Sequence, residues 1–496
     1  MSVVKAKFSP IKFRSVLRMV FSSLLFLFYF LAPLILIYAL VPKKFKNPLL
    51  FAASLFFYAW GEPTYVLLMI FSVFFNYVMG FLLKNKSKAA LVFTCVVNLG
   101  LLGVFKYADF FISTVNSVVR TNFPLLRLAL PIGISFYTFQ ALSYCIDVYR
   151  GKTKVQKSFV SFGLYLSLFP QLIAGPIVRY DDVALQLDNH PMRISLLSDG
   201  IVRFCSGLAK KVLIANNVGQ LWEITNASGE MSMLGAWLGI IAYTIQIYYD
   251  FSGYSDMAIG LGKMFGFEFC ENFNYPYISK SITEFWRRWH ISHSSWFKEY
   301  VYIPLGESRI SAEKYKKTVN IGPLCLTPEK RASLRRNLNI FAVWMLTGLW
   351  HGAGMNFIAW GIYYGVLLII EKKFLLKRLE KIPAFLSNFY TMLIVIIGWV
   401  FFASVDFSAA FSYIGSMFNF ADLGLSDTMF LYRFFSYWFV ILVAIIGATP
   451  LPKRIFEKIT RGKLYWLRPV LAFVLLIVCV AYLVDDTYNP FLYFRF

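Results

Sequence analysis

The chain holds four histidines in 496 residues, at positions 190, 290, 293 and 351. An imidazole with an unperturbed pKa of about 6.5 can take and return a proton near neutral pH, which suits general-base chemistry. His290 and His293 fall in "EFWRRWHISHSSWF", residues 284–297, beside two arginines and three tryptophans. Three residues apart, they project from neighbouring positions of a helix. His351 lies in "LTGLWHGAGMNF", after Gly348 and before Gly352 and Gly354. Glycines there let backbone or a ligand approach closely, so His351 is the candidate base. For His293 an interface-level polar role is the simpler reading.

These residues sit in a strongly apolar chain: 58% hydrophobic and 19% aromatic residues, with a mean hydropathy of +0.61. That composition points to an all-α polytopic membrane protein. Runs of spanning length, about 20 residues for a helix, recur near 19–41, 47–60, 64–83, 89–105, 129–149, 159–178, 232–249, 338–370, 384–403, 433–449 and 468–484. About 11 transmembrane helices are therefore expected, with re-entrant or interfacial helices where Pro and Gly interrupt a run. Residues 1–18 read as a basic extension and 19–496 as a single membrane domain. The first run follows Lys5, Lys7, Lys12, Arg14 and Arg18, yet it is too long for a signal peptide and lacks a small-x-small cleavage site.

The net charge of +23 clusters in loops between apolar runs, as cytoplasmic loops do, and argues for lipid headgroups or a phosphate-bearing donor and not for nucleic acid. Six cysteines are scattered without CxxC pairing, which makes disulfides and zinc sites unexpected. No Walker A, Rossmann, HExxH or DHHC pattern is present, so no metal and no permanently bound cofactor is expected.

Two elements must position the histidines. Ser281 and Glu284 match a capping box and Pro304 is the next strong stop, so the sequence predicts one helix over 282–302 with Trp286, Trp289, His293, Trp296 and Tyr300 on one face. Residues 337–370 are flanked by basic stretches on both sides, at 307–336 and 371–381, whereas 404–431 carries no Lys or Arg. Basic flanks read as cytoplasmic, so the segment must return to its starting side, as a hairpin or broken helix bent around "HGAG" with His351 near its apex. Among other polar groups, Tyr249, Asp250, Ser252, Tyr254, Ser255 and Asp256 close an apolar run; they could line an acceptor funnel or form a snorkelling helix end. Arg287, Arg288 and Lys298 could meet a diphosphate, although positive-inside bias explains the same charges. Trp350 and Asn356 flank His351 as further candidates for substrate contact, while Gln140, Gln171 and Asn356 also suit interhelical hydrogen bonds.

The stretches "FFYAWGEP" (56–63), "LPIGISFYTFQALSYCIDVYRG" (130–151), "FPQLIAGPIVRY" (169–180), "YYDFSGYSDMAIGLGKMFGF" (248–267), "FWRRWHISHSSWFKEYVYIPLG" (285–306), "LTGLWHGAGMNFIAWG" (346–361) and "NPFLYFRF" (489–496) together resemble the membrane-bound O-acyltransferases, MBOAT. The resemblance is nearest to the AlgI-like polysaccharide O-acetyltransferase branch, with teichoic acid D-alanyl transferases more distant, and it runs from Met19 on. It implies a bowl of tilted helices with a narrow passage at its centre. An acyl thioester, acetyl-CoA or another, would enter from the cytosol, and the acyl group would leave toward a polysaccharide hydroxyl outside. The family's invariant histidine corresponds to His351, and its second polar residue to His290; His293 stands where the branch usually has leucine. The resemblance also implies the inner membrane of a bacterium and an SGNH-type extracytoplasmic acetyltransferase partner. D-alanyl transfer from a carrier protein, a transporter and a non-enzymatic scaffold of a secretion complex are the rival readings. A cysteine placed at Ala353 is expected to resist a membrane-impermeant thiol reagent added on the cytosolic side; free labelling there would overturn the hairpin placement.

Overall fold

In hydrocarbon every backbone N–H and C=O must be paired within the protein, and helices achieve this segment by segment. The computed structural model describes residues 19–227, 229, 231–306, 319–321, 324–419, 424–485 and 492. The basic extension 1–18, most of the basic 307–336 loop before its helical end, Asp422, Asp486 and most of the 489–496 motif lie outside the described residues. The main helices are α1 (Lys43–Gly61), α2 (Val66–Leu83), α3 (Lys88–Val119), α4 (Ile134–Arg150), α5 (Ile194–Ala209) and α6 (Met233–Met264). After them come α7 (Ile282–Arg288), α8 (Ile291–Phe297), α9 (Pro328–His351) and α10 (Met355–Ile370). The chain closes with α11 (Ala384–Ala403), α12 (Thr428–Gly447) and α13 (Leu467–Asp485). A two-stranded antiparallel hairpin, β1 (Val319–Ile321) and β2 (Leu324–Leu326), is the one sheet among the described residues.

Among the described residues, five helices are long and apolar enough to cross a membrane: α2, α3, α11, α12 and Gly462–Asp485, which contains α13. Of these, α12 buries only Ala444, and α13 only Ala472 and Cys479, so their apolar surfaces face outward. The other expected runs are interior or broken. Nearly every residue of α4 and α6 is buried. The 159–178 run divides into Phe159–Ser167 and Phe169–Leu172 around Leu168, just ahead of Pro170, which cannot continue the first helix. The 19–41 run is a π-helical stretch, Leu25–Leu31, continuing into Ala32–Leu40.

Helices pack closest where glycines face each other. A Cβ on Gly200 would stand 2.7 Å from the Gly260 carbonyl oxygen, and one on Gly207 would stand 2.5 Å from that of Gly253. The two pairs, seven residues apart on each helix, bring α5 and α6 into backbone contact, the packing that membrane interiors favour. Gly348 and Gly361 join α9 to α10 likewise: a Cβ on either would collide with a carbonyl oxygen of the facing helix, Phe357 or Trp344. The expected hairpin over 337–370 is therefore present, with its turn at Gly352, Ala353 and Gly354. Asn356 Nδ2 secures the turn, donating to the Phe401 and Ser404 carbonyls at the end of α11, 3.3 and 2.9 Å away. That end leads into the stretch without Lys or Arg, so the hairpin apex sits toward the face opposite the basic loops.

The single helix expected over 282–302 is not what forms. The chain breaks at Trp289, which is extended, and at His290, whose φ of 46° is left-handed, before α8 and a π-helical turn, Lys298–Tyr302, follow. Local signals favoured continuity, but tertiary partners take the freed N–H groups: the Asn272 carbonyl accepts from Ile291 N at 2.9 Å. The capping box is half formed. Ser281 Oγ accepts from Glu284 N, whereas the Glu284 carboxylate accepts from Lys280 N and pairs with Arg288.

Gly361→Val is expected to lower the melting temperature in detergent by several degrees, because overpacking typically costs about 1–3 kcal/mol. Gly415→Ala, where a Cβ would meet no atom within 4 Å, should leave it unchanged or slightly raised, since Gly→Ala at a compatible site stabilises by about 0.4–1 kcal/mol. Equal melting temperatures for the two variants would refute the close hairpin packing.

Candidate functional site

His290 is held by one amide. Its Nδ1 lies 3.0 Å from Asn272 Oδ1, which also accepts from Ser292 N at 3.3 Å and from Ser292 Oγ at 2.9 Å. A backbone N–H can only donate, so the group facing Ser292 must be the amide oxygen, and the Asn272 orientation follows. The Asn272 NH2 accordingly donates to Ser255 Oγ on α6 at 3.0 Å. An oxygen acceptor requires the hydrogen of neutral His290 to be on Nδ1, which leaves Nε2 with a lone pair. That Nε2 is buried and has no hydrogen-bond partner among the described residues.

His293 stands between the other two histidines. Its ring centroid is 4.9 Å from that of His290 and 5.9 Å from that of His351, and it packs on Trp350 at 4.4 Å. Its Nε2 and the Nδ1 of His351 are likewise buried without a partner. His351, the last residue of α9, meets Trp360 and Phe402 edge-on, each at 5.0 Å. The histidines thus share an aromatic enclosure that offers few competing donors or acceptors. The reading of His293 as a polar group at the membrane interface does not hold: its side chain belongs to this interior group and is 4% exposed.

Two cavities meet at His351, the only residue common to both linings among the described residues. One, of about 350 Å3, is lined by His290, His293 and His351 and by the cations Arg287, Lys298 and Lys372 from three separate segments. The other, of about 260 Å3, is lined by Glu62, Lys106, Trp350, His351 and residues 129–136 before and at the start of α4. The cationic cavity lies toward the basic loops.

Of the residues singled out from sequence, the structure gathers His290, His293, His351, Arg287, Lys298 and Trp350 around the two cavities. Others it places elsewhere. Arg288 is paired with Glu284 and donates to the Asn274 carbonyl, and Asn356 secures the hairpin turn. On α6 four of the expected residues, Tyr249, Asp250, Tyr254 and Asp256, occupy other faces. Tyr249 donates to the Ala444 carbonyl of α12, and Tyr254 stacks on Phe21 at 4.6 Å. Asp250 forms a buried ion pair with Lys211 at 2.7 Å and accepts from Leu492 N at 2.8 Å. Asp256 is held by Arg203 and Lys210. The face that meets the site carries Tyr248, Phe251 and Ser255, with the Phe251 ring 4.7 Å from that of His290. The proposed funnel of Tyr249, Asp250, Tyr254 and Asp256 is therefore replaced by helix-tethering contacts, because a helix turns about 100° per residue and neighbours in sequence face apart. His190, the fourth histidine, is bonded to Tyr38 and Asn47, away from the site.

Sequence reasoning missed Asn272, Lys106, Glu62 and Glu371. The buried Glu371 carboxylate accepts from Ile282 N at 2.7 Å and Thr283 N at 2.8 Å, capping α7, although its segment reads as a basic loop. The one available signal was Lys106, a lysine directly after the apolar run 89–105 and followed by Phe110, Phe111 and Ile112.

Residues 154–321 match the model of MBOAT, the membrane-bound O-acyltransferase family. The chain is 41% identical over 420 residues to the probable alginate O-acetylase AlgI of Pseudomonas aeruginosa, covering 82% of this chain and 76% of that protein. Against the probable alginate O-acetylase AlgI of Pseudomonas putida it is 37% identical over 506 residues, 96% of this chain and 100% of the relative. Against the peptidoglycan O-acetyltransferase of Helicobacter pylori it is 31% identical over 542 residues, 97% and 99% of the two chains. With this likeness spread along nearly its whole length and a polytopic helical fold around the histidine site, the chain belongs to the membrane-bound O-acyltransferase family and is an O-acyltransferase.

Proposed function

We propose that the chain takes an acetyl group from acetyl-CoA on the side of the basic loops and passes it, at His351, to a hydroxyl reached from the opposite side, destined for an extracytoplasmic polysaccharide. The observation that carries this reading is the position of His351 as the shared wall of two cavities, one cationic. Arg287, Lys298 and Lys372 suit the phosphates of coenzyme A. The aromatic walls suit an acyl chain short enough to reach the imidazole. The alginate and peptidoglycan O-acetyltransferase relatives support acetyl as the group and a glycan as its destination. An SGNH-type extracytoplasmic partner would complete delivery to the polymer, and the bacterial inner membrane is the proposed location.

In this reading His351 accepts the hydroxyl proton as the oxygen attacks the thioester carbonyl carbon. The C–O bond forms, the C–S bond breaks, and the proton passes on to the departing thiolate. A positioned base contributes about 10²–10⁴-fold. His290, with its hydrogen committed to Asn272, offers the cavity an acceptor and not a donor. Its role is thus to orient a protonated neighbour or substrate, and oxyanion stabilisation falls to other groups.

Purified chain in nanodiscs should release thiol from acetyl-CoA, and His351→Ala should lower the rate by about 10²-fold or more at an unchanged melting temperature. Retained turnover in that variant would place the chemistry elsewhere, and binding of a glycan without thioester consumption would favour a transporter. Asn272→Leu, which frees the His290 ring, should lower kcat by about 10-fold; an unchanged kcat would remove the tautomer from the mechanism. Arg287→Ala combined with Lys372→Ala should raise KM for acetyl-CoA by about 10-fold and leave that for acetylpantetheine, which lacks the phosphates, unchanged. A preference for an acylated carrier protein in that comparison would support D-alanyl-type transfer instead.

A further inference from the structure

The last four carbonyls of an α-helix have no partner within the helix, and in an apolar interior each must find one. Helix α9 ends at His351 because Gly352 is extended, with φ −171° and ψ 158°. Two of its terminal carbonyls are taken by consecutive side chains of α3. Tyr107 Oη donates to the Leu349 carbonyl at 2.6 Å, and Lys106 Nζ donates to the Trp350 carbonyl. The Trp350 ring centroid is 5.8 Å from the same ammonium. Lys106 lies within α3, one of the helices long and apolar enough to cross a membrane, and lines the cavity opposite the cationic one, together with His351. A cation at a helix C-terminus is also favoured by the helix dipole.

We infer that Lys106, assisted by Tyr107, is a positioning residue for the reaction: it fixes the carbonyl end of the helix whose last residue is His351, and so sets where that imidazole stands between the two cavities. This rests on the reading of His351 as the base. Reacting groups displaced by about 1 Å can cost about 10²-fold in rate, so the cap acts on kcat. The donor enters the other cavity, so its KM is insensitive to the cap.

The test uses the full chain in nanodiscs and thiol release from acetyl-CoA, or from the acylated phosphopantetheine carrier where that is the donor the wild type turns over. Lys106→Met is expected to lower kcat by about 10–100-fold with donor KM within about twofold of wild type. Lys106→Arg, which keeps the cation and a donor, should recover most of the loss. Tyr107→Phe, which removes one hydroxyl and leaves the packing intact, should lower kcat by about 3–10-fold. Wild-type kcat in both Lys106→Met and Tyr107→Phe overturns the inference, as does Lys106→Arg no better than Lys106→Met. Running His351→Ala alongside separates the two readings. Loss of turnover in that variant with wild-type kcat in Lys106→Met removes only the role of Lys106; retained turnover in His351→Ala removes both.

Discussion

The arrangement of the site depends on a single side-chain carbonyl, Asn272 Oδ1, and the three hydrogen bonds it accepts. A left-handed residue such as His290 costs of order 1–3 kcal/mol and persists only where its surroundings determine it. Here the Asn272 backbone carbonyl takes the Ile291 N–H, and its side chain takes that of Ser292 and the imidazole hydrogen. The break in the helix and the tautomer of the histidine at the break are therefore consequences of one residue. The same residue reaches Ser255, tying the site to the central helix α6.

Asn272 is itself kept in place by charge. Asp256 on α6 binds Arg203 on α5, and Arg203 binds Glu271, the residue before Asn272. Deeper in the interior, Asp250 and Lys211 pair at 2.7 Å with almost no exposure. Breaking a buried pair by removing one partner costs about 3–5 kcal/mol, and in an apolar surround few other groups could satisfy the survivor. The acids that look like substrate ligands in the sequence thus form the support behind the site. Glu371 plays a comparable part at the start of α7, where it takes two backbone N–H groups.

Acyl transfer across a membrane needs one atom reachable from two sides and a barrier elsewhere. The glycine contact between α9 and α10 holds the hairpin together, its broken end places His351 at the wall of both cavities, and tryptophan and phenylalanine rings fill the remaining directions. The linings are asymmetric, cationic on one side and mixed Lys106 and Glu62 on the other, which would give the proposed transfer a direction. In the proposed reading the histidine trio is where this chain carries out acyl transfer.

Much of this was legible from sequence, for physical reasons that are local. Apolar runs of spanning length identify helices because hydrocarbon leaves few alternatives, and basic stretches on both flanks of 337–370 required a return whatever the packing. Gly348 and Gly352 marked close approach, which the structure bears out. The break at His290 was not legible, since Ser281, Glu284 and Pro304 all favour a continuous helix and the competing bonds come from Asn272, eighteen positions away. Nor could sequence choose the face of α6: Asp250 and Phe251 are neighbours in the chain, yet one binds Lys211 and the other edges onto His290. The sequence by itself determined the membrane class, the hairpin and the family, because these follow from composition, charge and motif along the chain. Only the tertiary structure decided which polar groups meet at His351 and which merely hold helices together, because that depends on the direction each side chain leaves its helix and on partners hundreds of residues apart.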